Sequence, residues 1–231
     1  PFLQRGFTSL TDLEQTDLVS VAMGLQYGTD YGRKFFGDAN FHLLLAAIKS
    51  DAHPESFAEL AKVLKDARNL GVDRETLKAA SNIVTSVGRL GQVTPLNFTP
   101  HDGQHPGSHI DLMDLFQRPQ ALFCSLPAAT GSVVNSEIAR LILFSLINAA
   151  QKAEKPRRQV YVVIDEFQRM VSNNVEALLQ MARSHDISLI LANQCLGDLK
   201  LADADLTEAV TNNTRIRQIF SISSPEDLRD L

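Results

Sequence analysis

Five apolar residues run without alternation into two adjacent carboxylates at Val160–Phe167, VYVVIDEF. Such a run predicts a strand buried on both faces, as in a parallel sheet covered by helices. Ile187–Ala192 is a second run, with an unbroken apolar core, and Ala121–Leu126 is a third that ends at Pro127. Helical patterns lie between them. One runs from about Val134 to Ala150, is opened by Gly131-Ser132 and is apolar nearly all round, which predicts packing on several sides. Another covers Met170–Ser184, with Val171, Val175, Leu178 and Ala182 in register. A short helix near Leu206–Asn212 and a last strand at Ile216–Ile222 complete the series. Alternating strands and helices predict right-handed βαβ crossovers and a parallel sheet.

The first part of the chain reads differently. Residues 1–33 carry Gly6, Gly24, Gly28 and Gly32, and predict loops with one short helix. Lys34–Lys49 has helical spacing through Phe35, Leu43 and Ala46. His53-Pro54 breaks it, and Ser56 is placed to cap a helix carrying Phe57, Leu60, Ala61, Leu64 and Ala67, which Gly71 stops. Asp73 starts one more, with Leu77, Ala80, Val84 and Val87 on one face. Three parts are therefore expected. Residues 1–49 form an N-terminal piece of an α/β core, 50–92 a small all-helical insertion, and 93–231 the rest of the core. A loop rich in Pro, Gly, His and Asp at 94–111 joins the last two.

Composition narrows the function classes only slightly. With 44% apolar and 21% charged residues the chain has an ordinary soluble globular make-up. A net charge of −5 argues against a protein that coats nucleic acid, but leaves room for a ring that grips DNA through a few inner residues. Cys124 and Cys195 lie in apolar runs and read as buried small hydrophobes, as in a reducing cytoplasm. No basic-then-apolar leader is visible. The longest apolar stretch, near Leu141–Ala150, is too short to span a bilayer, so any anchor of a parent protein would lie elsewhere.

The candidate chemistry sits at the strand ends. Ligands of open α/β sheets bind outside the carboxyl ends of the strands, and two charges there are costly unless they have a job. Asp165 and Glu166 have the form of a Walker B motif. Asp165 would hold Mg²⁺, and Glu166 would polarise the water that attacks a γ-phosphate. The competing reading is a strand followed by a capped helix. Gln194 ends the run ISLILANQ as Asp165 ends its own, so parallel neighbours would bring both to one edge. An amide there can hydrogen-bond a γ-phosphate or the attacking water, although a Gln in the turn after a strand is also ordinary. Arg183 closes the intervening helix, which is roughly 20 Å long at about 1.5 Å per residue. It therefore falls at the opposite edge, where it could reach a neighbour's nucleotide in a head-to-tail ring. It could equally be a helix-end arginine satisfying the last carbonyls. Arg215 and Arg217 are weaker candidates for the same role.

These residues carry a resemblance. VYVVIDEFQRM, the helix leading to ARSHDISLILANQ, and NNTRIRQIFSISSPEDL resemble the C-terminal half of the motor domain of type IV secretion coupling ATPases. Those are the hexameric DNA pumps of conjugation, related to FtsK- and HerA-type translocases. HIDLMDLFQRPQALFCSLP and KFFGDANFHLLLAAI are similar to upstream family segments. The resemblance implies a RecA-like P-loop NTPase core with a helical domain, and a homo-hexamer with DNA in its channel. It implies ATP and Mg²⁺ as cofactors, and relaxosome or secretion-channel proteins as partners. It also implies Asp165 and Glu166 as Walker B, Arg183 as the trans arginine and Gln194 as the sensor.

One departure limits what the chain does alone. No G-x-x-x-x-G-K-S/T occurs in it, so there is no nest of N–H groups for the β-phosphate and no lysine for the γ-phosphate. In the family that loop lies upstream of the matched region, and the chain alone is expected neither to bind ATP tightly nor to hydrolyse it. Two other readings stand beside the motor: a non-hydrolysing module that recognises a relaxosome or substrate protein, and a HerA-like DNA-processing or antiviral motor. His101, His105 and His109 have metal-like spacing, but Gly103, Pro106 and Gly107 point to a solvated loop. Ser184-His185-Asp186 is a triad in name only. Lys152, Lys155, Arg157 and Arg158 read as a solvated turn, with a DNA or partner contact as the alternative.

Overall fold

The computed structural model describes residues 10–23, 31–97, 110–126, 131–155, 157–170, 179–180, 182–201 and 204–219. Helix α1 spans Asp12–Ala22 and α2 spans Tyr31–Ile48. Helix α3, Phe57–Lys65, begins where Ser56 accepts a hydrogen bond from the Glu59 N–H (3.2 Å), as its position before an apolar-periodic run predicts. Ser56→Ala should cost about 1 kcal/mol, read as a lower denaturant midpoint for the chain.

A short 3₁₀ turn, Ala67–Leu70, follows, and Gly71 closes it at φ +69°, where a side chain would be strained. The single helix expected after Asp73 is two: α4, Arg74–Ala79, and α5, Ser81–Leu90, joined at Ala80. The break is tertiary in origin. Ala80 carries no breaking signal, but the Ile83 N–H at the head of α5 donates to the buried Asn40 Oδ1 of α2 (3.3 Å). Asn97 then ties the unit shut. Its Oδ1 accepts from the Ala58 N–H, and its Nδ2 donates to the Leu90 and Val93 carbonyls, each at 2.8 Å. Where α5 ends against α3 the backbones come so close that a Cβ on Gly91 would stand 3.2 Å from Ala58 Cα and Phe57 O.

After the short α6, Asp114–Gln117, comes α7, Ser132–Lys152. It is the spine of the molecule. Its Ile138 and Leu141 join the core of α1–α5, around Leu43, Leu44, Phe57, Ile83 and Leu90. Its Leu143, Leu146, Ile147 and Ala150 join a second core with Leu112, Phe116 and the sheet. Packing on two sides accounts for a helix apolar nearly all round. Among the described helices α7 alone is long and apolar enough to cross a membrane, and half of that stretch is buried inside the fold. Charge also links the halves: Glu137 of α7, 2% exposed, is bridged by Arg89 of α5.

Strand β1, Val160–Ile164, pairs in parallel with β2, Ile187–Leu191, with Val160 opposite Ile187 and Ile164 opposite Leu191. Val160, Val162, Ile164 and Leu189 face α7 and its neighbours. The expectation of burial on both faces is not met: Tyr161 (67%), Val163 (70%) and Ile190 (52%) are exposed on the other side. The strand at 121–126 is not found either. A strand needs a partner ladder, and this segment has none among the described residues; only Leu122 and Leu126 turn inward, and Phe123 is exposed. Cys124 is consequently exposed and Cys195 half-buried, so neither is the buried hydrophobe expected. A small antiparallel pair, β3 (Lys200–Leu201) and β4 (Ala204–Asp205), precedes α8, Thr207–Asn213. Residues 216–219 of the expected last strand form no strand, and 220–222 lie outside the described residues. The same is true of the histidine loop at 101–109 and of 171–178 in the expected 170–184 helix.

Candidate functional site

The register of β1 and β2 decides which residues share an edge. Asp165 is the first residue beyond Ile164, and Ala192 the first beyond its partner Leu191. The Ala192 N–H donates to Ile164 O and the Phe167 N–H to Ala192 O, both at 2.9 Å, so the chain leaving β1 curls over the end of β2. The turn is anchored by Phe167, 0% exposed among Leu179, Leu199, Leu206 and Ala209. Ser136 of α7 braces it by donating from Oγ to the Arg169 carbonyl (2.6 Å).

Asp165 and Glu166 ride on this turn. Asp165 is exposed and its Oδ1 accepts from the Glu166 N–H at 3.0 Å. Glu166 is half-buried, with φ +52°. A non-glycine residue in the left-handed region is a strained feature that clusters at functional sites. Its carboxylate is paired with the Arg169 guanidinium one turn on. Gln194 lies three residues beyond β2, exposed, on a turn held by Asn193 Nδ2 donating to Cys195 O (2.7 Å). Asp165, Glu166 and Gln194 are thus brought to one rim of the sheet.

Arg183 lies at the other rim, in the 3₁₀ turn Arg183–His185 that leads into β2. Five residues of strand at about 3.3 Å each separate the rims by about 16 Å. The next residue, Asp186, adopts φ +58° and receives the Arg157 Nε at 2.7 Å. Arg157 belonged to the cluster expected to be a solvated turn, yet its side chain is only 6% exposed; the ion pair with Asp186 and the bond to the Ala150 carbonyl offset part of the cost of burying it. Ser184 Oγ lies 3.0 Å from His185 Nδ1, but the Asp186 carboxylate is engaged by Arg157, so no triad forms. Arg215 and Arg217 are exposed beyond α8.

The chemistry available at the first rim follows from these positions. An exposed carboxylate with one oxygen holding a backbone N–H can offer the other to a hard cation, and Mg²⁺ is held by one or two such groups. Among the described residues no group of three or more His, Cys, Asp or Glu is placed to hold a metal by protein ligands alone. Ser136, Arg169 and Arg157 were not legible as site residues, since each acts through a contact distant in sequence or reads as ordinary surface charge. Deeper in the fold, burial lowers the Arg140 pKa and the charge of Glu137 opposes that.

An acidic pair and an amide thus stand at the carboxyl rim of a parallel strand pair, and this arrangement has a solved counterpart. The structure is similar to that of the plasmid coupling protein TrwB, solved with the non-hydrolysable GTP analogue GDPNP, with a TM-score of 0.62 and 13% identity. The match covers 88% of this chain and 52% of TrwB, so the chain spans about half the length of that protein. Residues 159–231 match the family described as the TraM recognition site of TraD and TraG. The resemblance to conjugative coupling proteins is thereby borne out, with the family match confined to this C-terminal part. No curated protein sequence matches the chain. The complete RecA-like P-loop core expected from the sequence is not shown: the parallel sheet has two strands among the described residues.

Proposed function

We propose that this chain is the C-terminal part of the motor domain of an ATP-driven coupling protein, which feeds DNA or protein–DNA substrate into a conjugative secretion channel. The observation that carries the reading is the placement of Asp165, Glu166 and Gln194 on one rim of the sheet with Arg183 at the other. In a head-to-tail hexamer, Asp165 would hold Mg²⁺ and Glu166 would orient and deprotonate the attacking water. Gln194 would sense the γ-phosphate, and Arg183 would act on the neighbouring subunit's nucleotide. Glu166 Oε2 is engaged by Arg169, and that pairing would have to open for the oxygen to reach a water. The bare face of Tyr161, Val163 and Ile190 supports the reading, since parallel sheets are normally covered on both faces. Further core elements, including a Walker A loop, would supply that cover. DNA in the ring channel, inner-membrane anchoring of the parent and cytoplasmic placement of this part belong to the same proposal.

A second reading has its own support. The family matched by 159–231 is described by recognition of TraM, which favours docking of a relaxosome protein on this part of the chain. Titration separates the two. The chain alone should bind neither ATP nor DNA tightly, while a polypeptide extended upstream through a strand, a glycine-rich loop and Lys-Ser/Thr should hydrolyse ATP. An extended polypeptide that hydrolyses nothing and binds only a relaxosome protein would favour the recognition module.

A further inference from the structure

We propose that Arg157 is a positioning residue for the arginine that acts across the subunit boundary; the inference rests on the motor reading of Arg183. Its side chain joins two elements, and a third meets Asp186. Arg157 Nε donates to Asp186 Oδ2 at 2.7 Å, and Nη1 donates to the Ala150 carbonyl in the last turn of α7. The Asp186 carbonyl accepts the Val160 N–H, at the head of β1, at 2.9 Å. The segment bearing Arg157 is itself pinned, because the Arg158 N–H donates to the carbonyl of the fully buried Phe116 at 2.8 Å.

These contacts converge on one backbone feature. Asp186 is the left-handed residue that ends the Arg183–His185 turn. Aspartate and asparagine adopt this conformation more readily than other non-glycine residues, and contacts to the side chain and backbone hold it in place. Arg157 imposes it from the side chain and Val160 from the backbone. The turn that carries Arg183 is therefore fixed to the end of α7 and the start of β1, not left to hang from the crossover. A planar guanidinium suits the task, since it can serve a carboxylate and a carbonyl at once where a lysine serves one point.

The strut lies at the rim away from Asp165 and Glu166, about 16 Å off. It has no direct route to its own subunit's hydrolytic groups, and this sets the test. In the ATPase-competent full-length protein, Arg157→Met should lower kcat by about 10- to 100-fold and leave KM for ATP unchanged. Mixing Arg157→Met protomers with Glu166→Gln protomers should raise turnover above that of either preparation alone. One brings an intact acidic pair and the other an intact arginine turn. A change that merely loosened the fold would not be complemented. Should Arg157→Met fail to fold, Asp186→Asn takes its place: Asp186 is half exposed, and asparagine keeps the left-handed backbone while losing the charge. Wild-type kcat in the variant overturns the strut. So does a loss that Glu166→Gln cannot complement while Arg183→Ala can be complemented. If Arg183→Ala itself turns over normally, the motor reading falls, and the strut with it.

Discussion

Glu166→Gln, placed in a polypeptide that also carries the phosphate-binding loop, should cut ATP turnover by about 10²- to 10⁴-fold and leave nucleotide affinity intact. The expectation follows from position. Glu166 sits at the carboxyl rim, partly open to solvent, on a turn whose hold on the fold comes from Phe167 and Ser136. Glutamine has the same shape, can occupy the same left-handed turn and can still accept a hydrogen bond from Arg169. It cannot take a proton from water or offset positive charge. Binding should survive because Asp165 is untouched and, on the proposed reading, the phosphate contacts would lie in the phosphate-binding loop. Steady-state hydrolysis and nucleotide titration on the same preparation measure both quantities. Undiminished hydrolysis would count decisively against the assignment of the acidic pair.

The largest effect on stability is expected one residue later. Phe167 is fully buried among Leu179, Leu199, Leu206 and Ala209. Phe167→Ala should destabilise the chain by about 3–5 kcal/mol, through lost burial and the cavity left behind. Phe167→Leu should cost a fraction of that. Arg169→Ala, which removes only an exposed ion pair, should change stability by less than about 1 kcal/mol. Denaturant unfolding of the three variants tests the order. The comparison matters for function because Phe167 is the nail that fixes the acidic turn to the core. If alanine at 167 proved as mild as alanine at 169, the acidic pair would be riding on a loop and not on a scaffold.

The sequence pattern showed the two strands and the main helices because their cues are local. Val160–Ile164 and Ile187–Leu191 are apolar runs interrupted at most by Ser188, and α7 announces itself by 21 residues without a breaker. The rim placement of Asp165, Glu166 and Gln194 followed from parallel pairing, once the two strands were assumed to be neighbours. What stayed hidden was non-local. The 121–126 run has strand composition, but composition does not supply a neighbouring edge. Tyr161 and Val163 have the chemistry of buried residues, and nothing in their identity says which face of the sheet is covered. Arg157 sits in a run of charges that reads as solvated, and only the return of the chain at Asp186 buries it. Ala80 breaks a helix because Asn40, forty residues earlier in the fold's layout, meets the head of α5.

A single rod, α7, contributes side chains to both interiors, and Glu137 on that rod is clasped by Arg89 from the helical unit. Loosening either half would bare part of the other, so denaturant unfolding is expected to show one transition for both interiors.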